Sequence, residues 1–117
     1  MKRKDQAFLD WLSKQRSCLD GAFSERLENG SRRNIPCHVR RAAIAGTGYK
    51  PLYSAVPMTF RQHQLQSDQG ELACIMQFVR NWKQILEKYE GCLVAKAKAF
   101  FDEKAEYYRN EWSKQNG

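Results

Sequence analysis

The sequence predicts an α+β domain in which a small β-β-α unit packs on helices from the N-terminal and C-terminal ends of the chain. Three observations carry this. Two short extended stretches, within 34–40 and 54–58, are separated by a glycine-bearing loop. A helix-capping pair, Thr59 with Gln62 three residues later, follows the second stretch at once. Beyond it, apolar residues recur at three- and four-residue spacing over 71–89 and again over 93–114, the period of amphipathic helices.

Each element has its own reason. Residues 5–16 read as a short helix, because Phe8, Trp11 and Leu12 fall at i, i+3 and i+4 on one face. Asp20-Gly21 and Asn29-Gly30 are turn dipeptides that bracket a short helix or hairpin around residues 23–27. Pro36 discourages a helix and Val39 favours extended backbone, which places His38 at the end of a short strand. Gly46-Thr47-Gly48 makes a turn, with Lys50 beside it as a phosphate contact. Residues 54–58 give the second extended piece, and a helix starting near Phe60 carries His63. Asp68 and Glu71 repeat the capping pattern, so a second helix start follows a kink.

In the 71–89 helix, Leu72, Ile75, Met76, Val79, Trp82 and Leu86 form the core stripe, and Gly91 ends it. In the 93–114 helix the stripe is Ala97, Phe101, Ala105, Tyr108 and Trp112. Such stripes are core far more often than partner grooves. The chain of 117 residues fits one domain, 1–117, with the core motif at 37–71 and a C-terminal helical part at 71–115.

Composition narrows the function. The hydrophobic content of 42% with 12% aromatic residues supports a packed core and excludes intrinsic disorder. No apolar run approaches the roughly 18 residues that span a bilayer, and no signal-peptide core follows the basic first residues, so an intracellular protein with no membrane partner is expected. Cys18, Cys37, Cys74 and Cys92 include no Cys-x-x-Cys pair and are expected as reduced thiols. Cys74 and Cys92 read as small core residues in helices. Cys18 and Cys37, in irregular segments, leave room for a shared structural metal.

The net charge of +7 is concentrated. Residues 29–67 hold Arg32, Arg33, Arg40, Arg41, Lys50 and Arg61, both histidines, and no Asp or Glu. The other 14 Lys and Arg, 20 minus these six, meet all 13 acidic residues. A charge excess confined this way points to a nucleic acid or another polyanion as partner. Within the β-β-α unit, the imidazole of His38 at a strand end can take a proton from water. A divalent cation held from the following helix would stabilise the phosphate and the leaving oxygen, with arginines anchoring flanking phosphates.

These residues resemble the HNH, or ββα-metal, nucleases, and most closely the phage-encoded recombination enhancement nucleases. The likeness rests on Cys37-His38-Val39-Arg40-Arg41, Gly46-Thr-Gly-Tyr-Lys-Pro51, Ala55-Val-Pro-Met58, Arg61-Gln-His-Gln-Leu-Gln66 and Gly70-Glu71 in order and spacing, with 104–112 as the closing helix. It covers roughly 7–112 and is strongest over 37–71. The resemblance implies a metal-dependent DNA endonuclease of bacterial cytoplasm. It would act in recombination on single- or double-stranded DNA with magnesium or zinc, alongside a recombinase filament or another protein. His38 matches the general base, Cys37 a position that often holds a metal ligand, and His63 the middle ligand. The final ligand, four residues on, is a histidine in the family and Ser67 here, with Asp68 beside it as a further candidate. A hydroxyl is a poor ligand for a transition metal, so the runner-up is a catalytically impaired HNH-fold module that binds DNA or blocks a protein partner. Of the zinc pair that relatives carry upstream, only Cys18-Leu-Asp-Gly21 remains.

Overall fold

A two-stranded antiparallel sheet sits between an N-terminal helix on one side and the C-terminal helices on the other. The computed structural model of the protein describes residues 3–23, 33–39 and 53–116. Within them the order is α1 (Arg3–Ser13), β1 (Ile35–His38), β2 (Ala55–Met58), α2 (Phe60–Gln69), α3 (Glu71–Phe78), α4 (Trp82–Glu87) and α5 (Leu93–Asn116). The described residues therefore form a small α+β fold.

The strands pair with Ile35 opposite Met58, Pro36 opposite Pro57, Cys37 opposite Val56 and His38 opposite Ala55. Proline is tolerated here because each strand of a two-stranded sheet has an edge that needs no ladder donor. All four residues of β2 are buried, since helices cover both of its faces. Alternation divides them. Ala55 joins Phe8 and Leu12 of α1, whereas Val56 and Met58 join Ile75, Phe100 and Phe101 of the larger core. Phe8, Leu12 and Phe101 are fully buried, each contributing about 1.5–3 kcal/mol by leaving water. Trp112, placed in the core stripe of α5, is half-buried and stacks edge-on to Phe8, centroids 5.8 Å apart.

The capping pair is present as expected. Thr59 accepts from the Gln62 backbone N–H, and the Gln62 side chain accepts from the Thr59 backbone N–H. Several expectations need correction. The helix expected to run unbroken over 71–89 is two helices, because Val79 is extended and Asn81 opens α4. Both residue types lose less outside a helix than in it. The second helix start is not capped by Asp68, which lies inside α2. Gly70 is the N-cap of α3, with no side-chain cap bond and φ +94°, a left-handed backbone that favours glycine. Met76 is 47% exposed rather than core, because it lies about 100° round α3 from the fully buried Ile75. Cys37 lies in β1, not in an irregular segment, and Cys92 is exposed ahead of α5, not buried in a helix. All four cysteines are free.

Candidate functional site

The N-terminal end of α2 is fastened from inside. Gln62 is fully buried, and its Oε1 accepts from the Thr59 N–H at 2.9 Å and from the Ser17 hydroxyl at 2.6 Å. The Cys74 thiol donates to the Gln62 carbonyl at 3.3 Å. The next residue is His63. Its position is therefore set by the cap, by the turn after α1 and by α3 together.

His63 is half-buried, and its Nδ1 lies 3.2 Å from Cys37 Sγ. Cys37 itself is 1% exposed. Burial, with Cys74 nearby adding to it, pushes its thiol up to about 12, so it stays protonated at neutral pH. The single thiol proton can be donated to the Ile35 carbonyl at 3.4 Å. The sulfur can then accept Nδ1–H, which leaves the Nε2 lone pair of His63 for a cation. That is the way neighbouring groups fix the tautomer of metal-binding histidines.

A cavity of about 670 Å³ opens beside this pair. His38 from β1, His63, Gln66 and Ser67 from α2, Glu71 from α3 and Lys98 from α5 line it. His38, the last residue of β1, is exposed at its rim. Ser67 stands one helical turn beyond His63, as the i+4 spacing requires. Asp68 is exposed and is not among the lining residues, as expected of an i+5 position about 100–150° round the helix. Cys37 is behind His63 rather than on the cavity wall.

The donors present do not suit a tetrahedral transition-metal site. Among the described residues no three His, Cys, Asp or Glu side chains converge as a metal-binding group, and Cys37 is a buried neutral thiol. The oxygen donors on the wall, from Gln66, Ser67 and Glu71, are of the type a hard cation takes, whereas the His63 imidazole is of the type that suits a transition metal.

Of the basic residues assigned to phosphates, Arg33 and Arg61 are exposed. Arg33 pairs with Asp10 at 2.6 Å and helps hold the Asp10 carboxyl below its ordinary range. Arg32, Arg40, Arg41, Lys50 and the Gly46-Thr47-Gly48 loop lie outside the described residues, as does most of the 23–27 segment. Gln66, Glu71 and Lys98 were not singled out as site residues by the sequence. Glu71 carried a signal as a capping residue and within the Gly70-Glu71 match to the family, not as a ligand, and Lys98 reaches the cavity from a helix distant in sequence. Compared with protein families, curated proteins and solved structures, the chain matches none.

Proposed function

We propose that the protein is a metal-dependent DNA endonuclease of the HNH type, with a β-β-α unit made of β1, β2 and α2 and a metal site altered at Ser67. The observation that carries this reading is the meeting of His38, His63 and Ser67 on one cavity in the order strand end, helix start, next helical turn. His38 is the base. It takes the proton of the attacking water, and the rim position lets water reach it. Lys98 at the same cavity and Arg61 at the start of α2 supply positive charge for flanking phosphates. His63, with Ser67 and Glu71 on the same wall, would hold a divalent cation whose chemistry is to stabilise the charged phosphate and the leaving oxygen. The resemblance extends the proposal to phage-associated recombination, with a recombinase filament presenting the DNA.

Ser67 favours a second reading, in which the fold binds DNA, or blocks a protein partner, without cutting. The two separate in a cleavage assay on single- and double-stranded DNA with magnesium, manganese and zinc in turn, with DNA binding measured in parallel. Metal-dependent cutting that is lost in His38→Ala supports the nuclease. A folded protein that binds DNA in a salt-sensitive way and cuts with none of the three metals leaves the binding module.

A further inference from the structure

A second cavity, of about 710 Å³, opens at the N-terminal end of α2 and shares no lining residue with the first. Its walls are aromatic, from Phe23, Phe60 and Phe78. Phe60 is the first residue of α2 and exposes 61% of its surface, the most among the exposed large hydrophobic residues described. Arg33 and Arg61, both exposed, line the same cavity. The Arg16 guanidinium lies 5.2 Å above the Phe23 ring. Asp20 is the one carboxylate among the lining residues, and its Oδ1 is occupied by the Ala22 backbone N–H at 3.0 Å. Asp10 partly neutralises Arg33 from outside the cavity. The positive end of α2 adds to the charge at the rim.

We propose that this cavity receives an unpaired base of single-stranded DNA, with Phe60 as the stacking surface and Arg33 and Arg61 on the adjoining phosphates. Aromatic faces interleaved with arginine suit this ligand because every base has a π-face and every nucleotide a negative charge. A duplex keeps its base faces inside the stack and offers the rings nothing to cover. An acidic peptide would pair with the arginines but would not use the exposed ring of Phe60. The proposal rests on the reading of the protein as one that acts on DNA and adds the strand state it selects.

The test is binding, so it does not depend on cutting. Fluorescence anisotropy with a labelled oligothymidylate and with a duplex, in the absence of divalent metal, is compared for wild type, Phe60→Ala, Phe60→Tyr and Arg61→Ala. Phe60→Ala is expected to weaken the single strand at least about fivefold, the lower end of what one lost base stack costs, and to leave the duplex within about twofold. Phe60→Tyr keeps the ring and the affinity, and Arg61→Ala weakens both ligands. Circular dichroism on each variant confirms folding, which an exposed side chain should not disturb. An unchanged single-strand affinity in Phe60→Ala overturns the proposal, and so does an equal loss on both ligands. Displacement of the oligothymidylate by polyglutamate in wild type but not in Phe60→Ala would assign the cavity to an acidic peptide instead. If wild type cuts DNA yet Phe60→Ala changes nothing, this inference fails alone. If nothing cuts but the Phe60 effect is present, the nuclease reading fails and the base cavity stands.

Discussion

Replacing Gln62 by leucine removes one of the two side-chain oxygens that cap the start of α2, and the structure sets the size of the effect. Gln62 is fully buried, and its Oε1 takes protons from the Ser17 hydroxyl and the Thr59 backbone N–H. Leucine has a similar volume, so little cavity forms. Both donors lose their acceptor, at about 1–3 kcal/mol for each buried group left unmade. One term opposes this. Gln62 Nε2 is itself buried with no partner among the described residues, and leucine removes that orphan along with the oxygen. Two losses against one gain of similar size leave a net destabilisation of about 1–3 kcal/mol. Chemical denaturation followed by circular dichroism measures it.

The sharper signature is coupling. In wild type, Ser17→Ala removes the donor to Gln62 and the acceptor of the Leu19 N–H. In the Gln62→Leu background the serine hydroxyl is already stranded, so removing it costs about 1–2 kcal/mol less than in wild type. If the two substitutions instead add to within about 0.5 kcal/mol, the Ser17–Gln62 bond does not hold this helix start, and the account of how His63 is positioned fails with it.

Ser67→His restores an imidazole one turn from His63, and zinc or manganese affinity should rise by about tenfold or more in calorimetric titration, with cutting appearing or increasing. A folded variant with unchanged affinity would mean that position 67 does not face the cation. Replacing Arg40, Arg41 and Arg61 together by Ala should weaken duplex binding and reduce the log–log salt slope by up to about 0.9 per lost contact; an unchanged slope places the DNA surface elsewhere. Burial pushes Cys37 up to about 12 and Cys74 to about 11 from an ordinary 9.0. The folded chain therefore keeps protons that the unfolded chain releases, and stability should be intact below pH 9 and fall by on the order of 1 kcal/mol per pH unit per thiol above it. Thermal melts that stay level from pH 8 to pH 10 would contradict this. Cys92 is exposed, and backbone N–H groups of Ala95 and Val94 lower its thiol, so mass spectrometry after brief iodoacetamide treatment should find Cys92 alkylated before Cys37 or Cys74.

Much of the architecture was legible because it rests on short-range rules. The Thr59–Gln62 cap, the proline-bearing strands and the helical periods each follow from residues a few positions apart. Periodicity says which residues share a face, but not how long a helix continues along it. The same stripe runs from Val79 to Trp82, yet the backbone leaves the helix between them and resumes in α4 with its buried Leu86. Exposure failed for a related reason. Met76 fits the stripe and Cys92 resembles a core residue by type, but both are exposed, on faces that no other described element buries. The site divides in the same way. His38 and His63 were legible from the order of the elements and Ser67 from the family resemblance, whereas Lys98 comes to the cavity through the packing of α5, which no local pattern encodes.

Glu71 shows what that packing adds to the chemistry. In one continuous helix, position 71 would lie eight residues beyond His63, about 12 Å along the axis and about 80° round it. It would then stand a little over two helical turns from the imidazole. The chain instead breaks at Gly70, where φ is +94° and ψ 175°, a conformation open to glycine and strained for any residue with a Cβ. No neighbouring atom within 4 Å would contact such a Cβ, so the backbone angle alone calls for glycine here. α3 leaves in a new direction from this point, and its first residue, Glu71, lines the cavity with His63 and Ser67. A carboxylate is the ligand a hard cation takes most readily, and a serine hydroxyl is among the weaker ones. Position 67 thus carries a weak oxygen donor, and the break at Gly70 brings a carboxylate to the same wall.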